Sequence, residues 1–575
     1  MKIAVYTIVK NEEKFIARWA ESCKDADIRL IVDTGSTDST VEVARANGCD
    51  VASISIQPWR FDDARNAALA LLPSDVDWCV SLDADEILMP GWRQHLEALP
   101  ENVTRPRYKY VWSWNDDASE GLVFLRDHIH RRHNYRWKHP VHEVLVCLGQ
   151  EVQSVCGLEV HHHPDSTKSR GQYLPLLELA VKEDPEGDRN LFYLGRELMF
   201  YGKNEEAVPH FLKHLEVSKW DAERSASMRY LARVTDRKEH WLLKACAEAP
   251  QRREAWVDLA KFYYETRNWL QCHASAERAL SITQKPLDYI CEADAWGDLP
   301  HDLASISLWN LGDKDASLEH AIKALAIKPA DSRLRNNVSS IMRSHRKTLV
   351  DVIIPSKTNS GGLLNVYEQI SSDPAVGNIH VVADGNEAHQ KIQNLNLSLA
   401  RISWVPEGIG IHVMWNQALE QVEARHHVLF LNDDVNLDNL AISTLASHLD
   451  FDPSIGLICP NYDGRIISGI DQNVQGANGW YGKTGISGAT MMLHADLVPE
   501  WKFDERLNWY FGDDDLALWT LITKNRRTVV SSLTSSWGNE SWTTKNNPPS
   551  GFDALTKSDK KVFDEKWASY ASSRT

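Results

Sequence analysis

The chain has 575 residues, too many for one hydrophobic core, and at roughly 150 residues per domain it divides into three or four units. Hydrophobic residues at 43% and charged residues at 25% can fill cores and still solvate a surface, which excludes wholesale disorder. The formal net charge of -17 opposes nonspecific attraction to a polyanion such as DNA, so nucleic acid is a disfavoured partner.

The opening MKIAVYTIVKNEEKF lacks the basic-then-apolar-then-small pattern of a leader. No apolar run approaches the roughly 20 residues that span a bilayer, so a cytoplasmic protein without a membrane span is expected. Nine cysteines without CxxC spacing read as reduced, mostly buried thiols rather than a disulfide frame or zinc site. The 22 tryptophans are expected mainly in the core, although indole also stacks on sugar faces.

Residues 1–168 alternate strand and helix signals. Lys2 to Val9, Ile28 to Val32, Val51 to Ile56 and Trp78 to Leu82 read as strands; Glu12 to Ser22, Ser39 to Asn47 and Asp62 to Leu72 read as helices. Such alternation predicts a mostly parallel sheet with ligands at the strand C-termini, where the acidic residues fall. In residues 169–346 strand signals vanish and amphipathic helices take over. Leu194, Gly195, Leu198, Gly202, Ala207 and Phe211 fit the small and large positions of a tetratricopeptide-like helical hairpin. Trp256, Leu259, Ala260, Tyr263, Ala276 and Ala279 repeat the pattern, as do Leu308, Gly312, Ala321, Ala324 and Pro329. Such hairpins stack because each needs neighbours to bury its apolar face.

In residues 347–575 the α/β alternation returns. Leu349 to Pro355, Ile379 to Ala383, Ile402 to Val405 and Val428 to Leu431 read as strands, the last entering Asn432-Asp433-Asp434. This repeats the first plan and points to a second domain of the same fold. The segment TTKNNPPSG reads as loop before a terminal helix.

Asp83-Ala84-Asp85-Glu86 follows the fourth strand. Two aspartates one residue apart in such a turn can divide their work, one reaching a divalent cation and the other a ribose or sugar. A lone DxD is weak; its company is not. VYTIVKNEEKFIARW opens a loop at Asn11 and Glu12, and IVDTGSTDST ends a strand at Asp33, with Ser36 to Ser39 available to cap a helix. WRFDDARNAAL then places Asp63, Arg65 and Asn66 at a helix start, before DWCVSLDADEIL delivers the acidic turn.

This ordered set resembles family-two inverting glycosyltransferases of the GT-A fold. The resemblance implies two Rossmann-like GT-A domains flanking the helical region, a nucleoside-diphosphate-sugar donor (UDP-linked) and a manganese or magnesium ion. It implies a nucleotide pocket from Thr7, Asn11, Asp33, Arg65 and Asp83, with Asp63 near the phosphates and metal at Asp85. Segments similar to YRW...PVHE follow the acidic loop in relatives with helical repeats, which makes Glu143 the expected base and His142 its positioning partner. His161 or His163, the latter preferred, is the expected late metal ligand, and Arg131 and Arg132 are candidates to neutralise diphosphate.

In the second α/β region the corresponding strand ends are Pro355, Asp384 and Asp433 for the nucleotide and Asp434 for metal. GISGATMML and FDERLNWYFGDDDLALW look like the family's acceptor and catalytic segments, with Asp513 as base and Asp515 as a helix-start partner. Three consecutive aspartates call for a helix N-terminus or a cation nearby. VVADGNE and NDDV depart from the usual loops, so a domain serving acceptor recognition stands against two sequential transfers. The acceptor is a glycan, a protein or another hydroxyl compound, and the repeats offer a surface for a protein partner. A pure scaffold and a nucleic-acid base glycosyltransferase are the competing readings; clustered carboxylates at strand ends oppose the first and the absence of a basic stripe opposes the second.

Overall fold

The computed structural model describes residues 1–115, 118–165, 173–357, 360–395, 397–462, 469–474, 486–538 and 552–571. The chain divides into two compact units, Met1–Leu303 and Ala304–Thr575.

The first unit opens with β1 (Ile3–Val9), β2 (Ile28–Asp33), β3 (Asp50–Ser53) and β4 (Trp78–Ser81), with helices Glu13–Ser22, Thr40–Ala46 and Phe61–Leu71 between them. All four run parallel, and β8 (Ile129–Arg131) closes the order β3-β2-β1-β4-β8 as an antiparallel edge. The four strands and three helices match the sequence pattern to within about three residues, since buried apolar runs and amphipathic helices were cleanly separated. A second sheet, β5-β11-β6-β7, is built from β5 (Glu86–Leu88), β6 (Arg105–Val111), β7 (Val123–Arg126) and β11 (Gln153–His162). A small hairpin, β9 (Tyr135–Lys138) and β10 (Val144–Cys147), carries the PVHE segment in its loop.

Tryptophan is used structurally here: Trp19, Trp78, Trp92 and Trp137 are fully buried. Trp19 Nε1 donates to the Leu82 carbonyl at 3.0 Å, and Trp137 Nε1 to the Tyr6 hydroxyl at 2.9 Å, so two of them lock segments next to the acidic turn. Helical hairpins follow. In the hairpin Asp188–Phe200 and Asn204–Val217, a Cβ on Gly195 would sit 2.9 Å from the Phe211 ring, so the small residue admits the large one. Gly202, at φ 73°, makes the turn that a residue with a Cβ would strain. The hairpin Arg253–Glu265 and Trp269–Leu280 repeats the arrangement.

The second unit holds helices Lys314–Ile327 and Ser332–Arg343 and a nine-stranded sheet. Its first four strands, β12 (Val350–Ser356), β13 (Val376–Asp384), β14 (Ala400–Val405) and β15 (His427–Leu431), are parallel in the order β14-β13-β12-β15. Then come β16 (Val435–Leu437), β17 (Ile455–Asn461), β18 (Asp471–Asn473), β19 (Thr490–Leu493) and β20 (Arg527–Gly538), with β19 antiparallel to β15. Both sheets thus follow one path: third, second, first and fourth strand, then an antiparallel neighbour. The terminal helix Phe552–Ala571 forms as expected, while the TTKNNPPSG loop lies outside the described residues. All nine cysteines are free thiols. Among the described residues no helix is long and apolar enough to cross a membrane.

Candidate functional site

The acidic turn leaves the sheet beside β1: Leu82 N–H donates to the Tyr6 carbonyl at 3.1 Å, and the turn then closes through Asp83 N–H on Glu86 Oε2 at 3.0 Å. Two guanidinium groups converge on Asp83. Arg65 Nη2 reaches Oδ1 at 2.6 Å and Arg126 Nη2 reaches Oδ2 at 3.4 Å. Arg65 is 5% exposed, and its other nitrogens bond Ser81 Oγ at 3.0 Å and Glu143 Oε1 at 2.5 Å. Arg126 also pairs with Glu86, which accepts the Tyr110 hydroxyl at 2.6 Å. Burial opposes charge on Asp83, yet Arg65 and Arg126 outweigh it and hold the carboxyl down to about 2. On Glu86 burial wins against Arg126 and pushes the carboxyl up.

Asp85 points to a different partner. Its Oδ2 faces His162 Nε2 at 3.4 Å, while His162 Nδ1 meets the Trp112 carbonyl at 2.9 Å. A proton on Nδ1, donated to that carbonyl, leaves the Nε2 lone pair directed at the carboxylate. Two acceptors so placed need a proton or a cation between them. Burial lowers the basicity of the ring, but Asp85 outweighs it and raises its pKa. A carboxylate oxygen and an imidazole nitrogen on one face fit a divalent cation that takes its remaining ligands from substrate phosphate and water.

The histidine whose ring faces Asp85 is thus His162, one position before the expected His163. His163 stacks on Trp114 with ring centroids 5.6 Å apart, and only its main-chain N–H meets Asp85, at the carbonyl, 2.9 Å away. His161 Nε2 pairs with Glu159 at 2.5 Å. Successive strand residues face opposite sides, so His162 at the end of β11 turns toward Asp85 while its neighbours turn away.

Other expected residues frame the site instead of lining it. Thr7 is fully buried, and its hydroxyl donates to the Ile8 carbonyl at 3.3 Å, so it lies beneath the surface. Asn11, at φ 57°, joins two loops: its N–H donates to Ser36 Oγ at 2.9 Å and its Oδ1 accepts Thr37 N–H at 2.7 Å. Asp33 accepts the Gly35 and Ser36 amides at 3.2 and 3.0 Å, which shapes the turn after β2. Ser39 is the N-cap of the next helix without a side-chain cap hydrogen bond, and within the expected Ser36 to Ser39 stretch it is Asp38 that accepts Thr40 N–H, at 3.0 Å. Asp63 is exposed, 3.5 Å from Arg60, whereas the buried Asp62 and Glu183 take that guanidinium's closer contacts; Asp63 is not brought to Asp83. Asn66 clamps β9 through both main-chain groups of Trp137 at 2.8 Å. Arg131 and Arg132 bond backbone carbonyls of Val103, Pro73 and Leu72, so they brace loops and do not meet the acidic turn.

Glu143 does reach the site, tied to Asp83 through Arg65. His142 stacks on Tyr193 at 4.0 Å and 13°. Sequence reasoning missed Arg126, Glu86, Tyr110 and His162; Glu86 stood inside the quoted motif, but nothing in VFLRDH marked Arg126 before β7 was seen to cross beside the turn.

In the second unit, Ser356 at the end of β12 donates to Asp433 Oδ2 at 2.6 Å. Pro355 is buried within β12. Asp384 accepts Gly408 N–H at 2.6 Å and faces Lys357 at 3.4 Å. Burial and the neighbouring Asp434 push Asp433 up to about 7, and burial raises Asp434. Asp513 begins helix Gly512–Leu518 and is pushed up to about 6 by burial and Asp514. A Cβ on Gly488 would lie 2.8 Å from its Oδ2, so the acceptor-like segment does pack against it; Gly485 of that segment lies outside the described residues. Asp515 has another role: buried, it binds Lys566 at 2.7 Å and Trp567 Nε1 at 2.9 Å from the terminal helix. The cation expected near the three aspartates is Lys566.

A mostly parallel α/β domain with an acidic turn between two arginines is the class this geometry defines. Residues 4–155 match the family described as Glycosyl transferase family 2. An uncharacterized glycosyltransferase of Rickettsia typhi is 33% identical over 109 residues, covering 19% of this chain and 36% of that protein. The glycosyltransferase SunS of the SPbeta prophage of Bacillus subtilis is 27% identical over 221 residues, covering 36% of this chain and 52% of that one. The chain thus spans about half or less of the length of these curated relatives. Among solved structures, glucosyl-3-phosphoglycerate synthase of Mycobacterium tuberculosis, in complex with Mn2+, UDP and glucosyl-3-phosphoglycerate, aligns at 25% identity. That alignment covers 19% of this chain and 44% of that chain, with a TM-score of 0.17. The N-terminal region of this chain is thus similar to family-two glycosyltransferase domains over residues 4–155.

Proposed function

We propose that the first unit moves a sugar from a UDP-linked nucleotide sugar to a hydroxyl of a glycan, protein or other acceptor, inverting the anomeric carbon. The observation that carries this reading is the junction at the sheet edge, where Arg65 joins Asp83 to Glu143 while Asp85 faces His162. Asp83, kept ionised by two guanidiniums, accepts hydrogen bonds from donor hydroxyls. Asp85 and His162 would hold the divalent cation, which when bound neutralises charge on the departing diphosphate. Glu143 is the base: Oε1 is tethered to Arg65, and Oε2 has no hydrogen bond among the described residues. As the acceptor oxygen bonds to the anomeric carbon, its proton passes to Oε2, and the electron pair of the broken bond leaves on the diphosphate. Asn11 and Asp33, which cross-link the loops after β1 and β2, frame the nucleotide. The test is UDP release from a panel of UDP-sugars with Mn2+: Glu143→Gln should retain UDP binding and lose turnover, and a wild-type chain that releases nothing from any donor refutes the reading.

A second transfer site in residues 347–575 is favoured by the shared strand path and by Ser356 bonding Asp433 at the strand ends. In that reading Asp434 contacts metal, Asp513 is the base, and residues 1–168 and 347–575 are two GT-A domains flanking tetratricopeptide-like repeats at 169–346. Working in the cytoplasm, the two sites would act in sequence on one acceptor, with the repeats open to a protein partner. If Asp434→Ala leaves every product unchanged, the second domain serves recognition instead.

A further inference from the structure

The loop His139–Glu143 is held in a conformation it would not adopt alone. His139 and His142, neither of them glycine, stand at φ 85° and 50°, in the left-handed region that L residues avoid. Such backbone persists only where its surroundings over-determine it. Here the surroundings are helical. The ring of His142 lies flat on Tyr193, and Arg189, one turn earlier on helix Asp188–Phe200, donates to the His142 carbonyl at 3.4 Å. Asn190 Nδ2 meets His139 Nδ1 at 3.1 Å, and Val141 is buried in the same apolar cluster as Phe192, Tyr193 and Leu194.

The other arm of the site is held from the same side. Leu125 N–H, next to Arg126, donates to the Leu287 carbonyl at 3.2 Å, and Phe124 meets Tyr289 edge-on at 6.3 Å. Arg189 links the two arms: its guanidinium lies 4.9 Å from the Tyr193 ring and 5.6 Å from the Tyr289 ring, and reaches the Tyr289 hydroxyl at 3.5 Å. We propose that Arg189 and Tyr193 are positioning residues of the transfer site, and that the first helical hairpin is one wall of that site and not a spacer. The role of Tyr193 needs its ring face and not its hydroxyl, which bonds no group among the described residues. The proposal rests on the transferase reading for its catalytic consequence, but not for the loop geometry.

The experiment uses the full chain, with UDP-sugar turnover in Mn2+ and hydrogen exchange of backbone amides as separate readouts. Tyr193→Ala and Arg189→Ala should lower kcat about 100-fold, the effect of an ångström-scale misplacement. Donor KM should stay within about two-fold, because Asp83 and Arg65 are untouched. Exchange across 138–146 should quicken in both variants while 78–86 stays as in the wild type, and Tyr193→Phe should match the wild type throughout. Arg189, being partly exposed, gives a folded variant if Tyr193→Ala does not. Unchanged exchange at 138–146 in the alanine variants, or equal damage from Tyr193→Phe, overturns the proposal. If the wild type turns over no nucleotide sugar while the exchange pattern holds, the transferase reading fails and the loop assignment stands.

Discussion

The two acidic turns occupy the same place on similar sheets, yet their carboxylates are shifted in opposite directions. Asp83 sits between Arg65 and Arg126 and is held down to about 2; Asp433 is offered a serine hydroxyl and a neighbouring carboxylate and is pushed up to about 7. Both are desolvated, so the difference lies in the fixed cations around them. Among the described residues the first turn carries its own guanidiniums and keeps its charge, whereas the second, without them, must take a proton or a bound cation to settle its carboxylates.

Removing Arg65 should break this contrast most severely. Arg65→Ala leaves Asp83 and Glu143 without their shared partner, so chemical denaturation should show a loss of about 3–5 kcal/mol. UDP-sugar turnover should fall by roughly 10³-fold. A variant of wild-type stability would show that the buried pair does not hold the turn. Next in size is the histidine assignment: His162→Ala should weaken Mn2+ binding, read by titration calorimetry, by about 10- to 100-fold. His163→Ala, stacked on Trp114, should leave it unchanged.

How much of this was legible beforehand follows from which signals are local. The strands through Trp78–Ser81 and the helices through Phe61–Leu71 are written in apolar periodicity, and the acidic turn in its own four residues. Arg65 was legible because it sits in a motif, but its partner Arg126 comes from a strand whose neighbours are fixed only by tertiary pairing. The choice of His162 over His163 depends on which face of β11 meets Asp85, and a run of three histidines does not state the register. Asp515 was assigned to a helix start and proves to anchor a helix some fifty residues away, a contact no spacing rule contains.

The remaining predictions concern the second turn. The Asp433 carboxyl, pushed up to about 7, lies above the ordinary carboxylate value of 3.8, so the native chain binds the extra proton and its stability falls as pH rises from about 4 through 7. Asp83 has the opposite sign: its contribution is present above 3.8 and is lost as pH falls toward 2. In EDTA at pH 7.5, Asp433→Asn should therefore raise Tm by roughly 2–5 °C, with the gain shrinking at pH 5. A fall in Tm at pH 7.5 would show that the carboxylate has a cationic partner. The smallest effect is expected from Trp567→Phe, which removes one hydrogen bond to buried Asp515 and should cost about 1–2 kcal/mol, leaving turnover at the first site unaltered.

The most direct test of the central claim is UDP release by the full chain from UDP-sugars in Mn2+, comparing wild type, Asp85→Ala and EDTA-treated protein. The account predicts turnover in the first and none in the other two, with Asp85→Ala still folded. Turnover that survives both the loss of Asp85 and the removal of metal would contradict it.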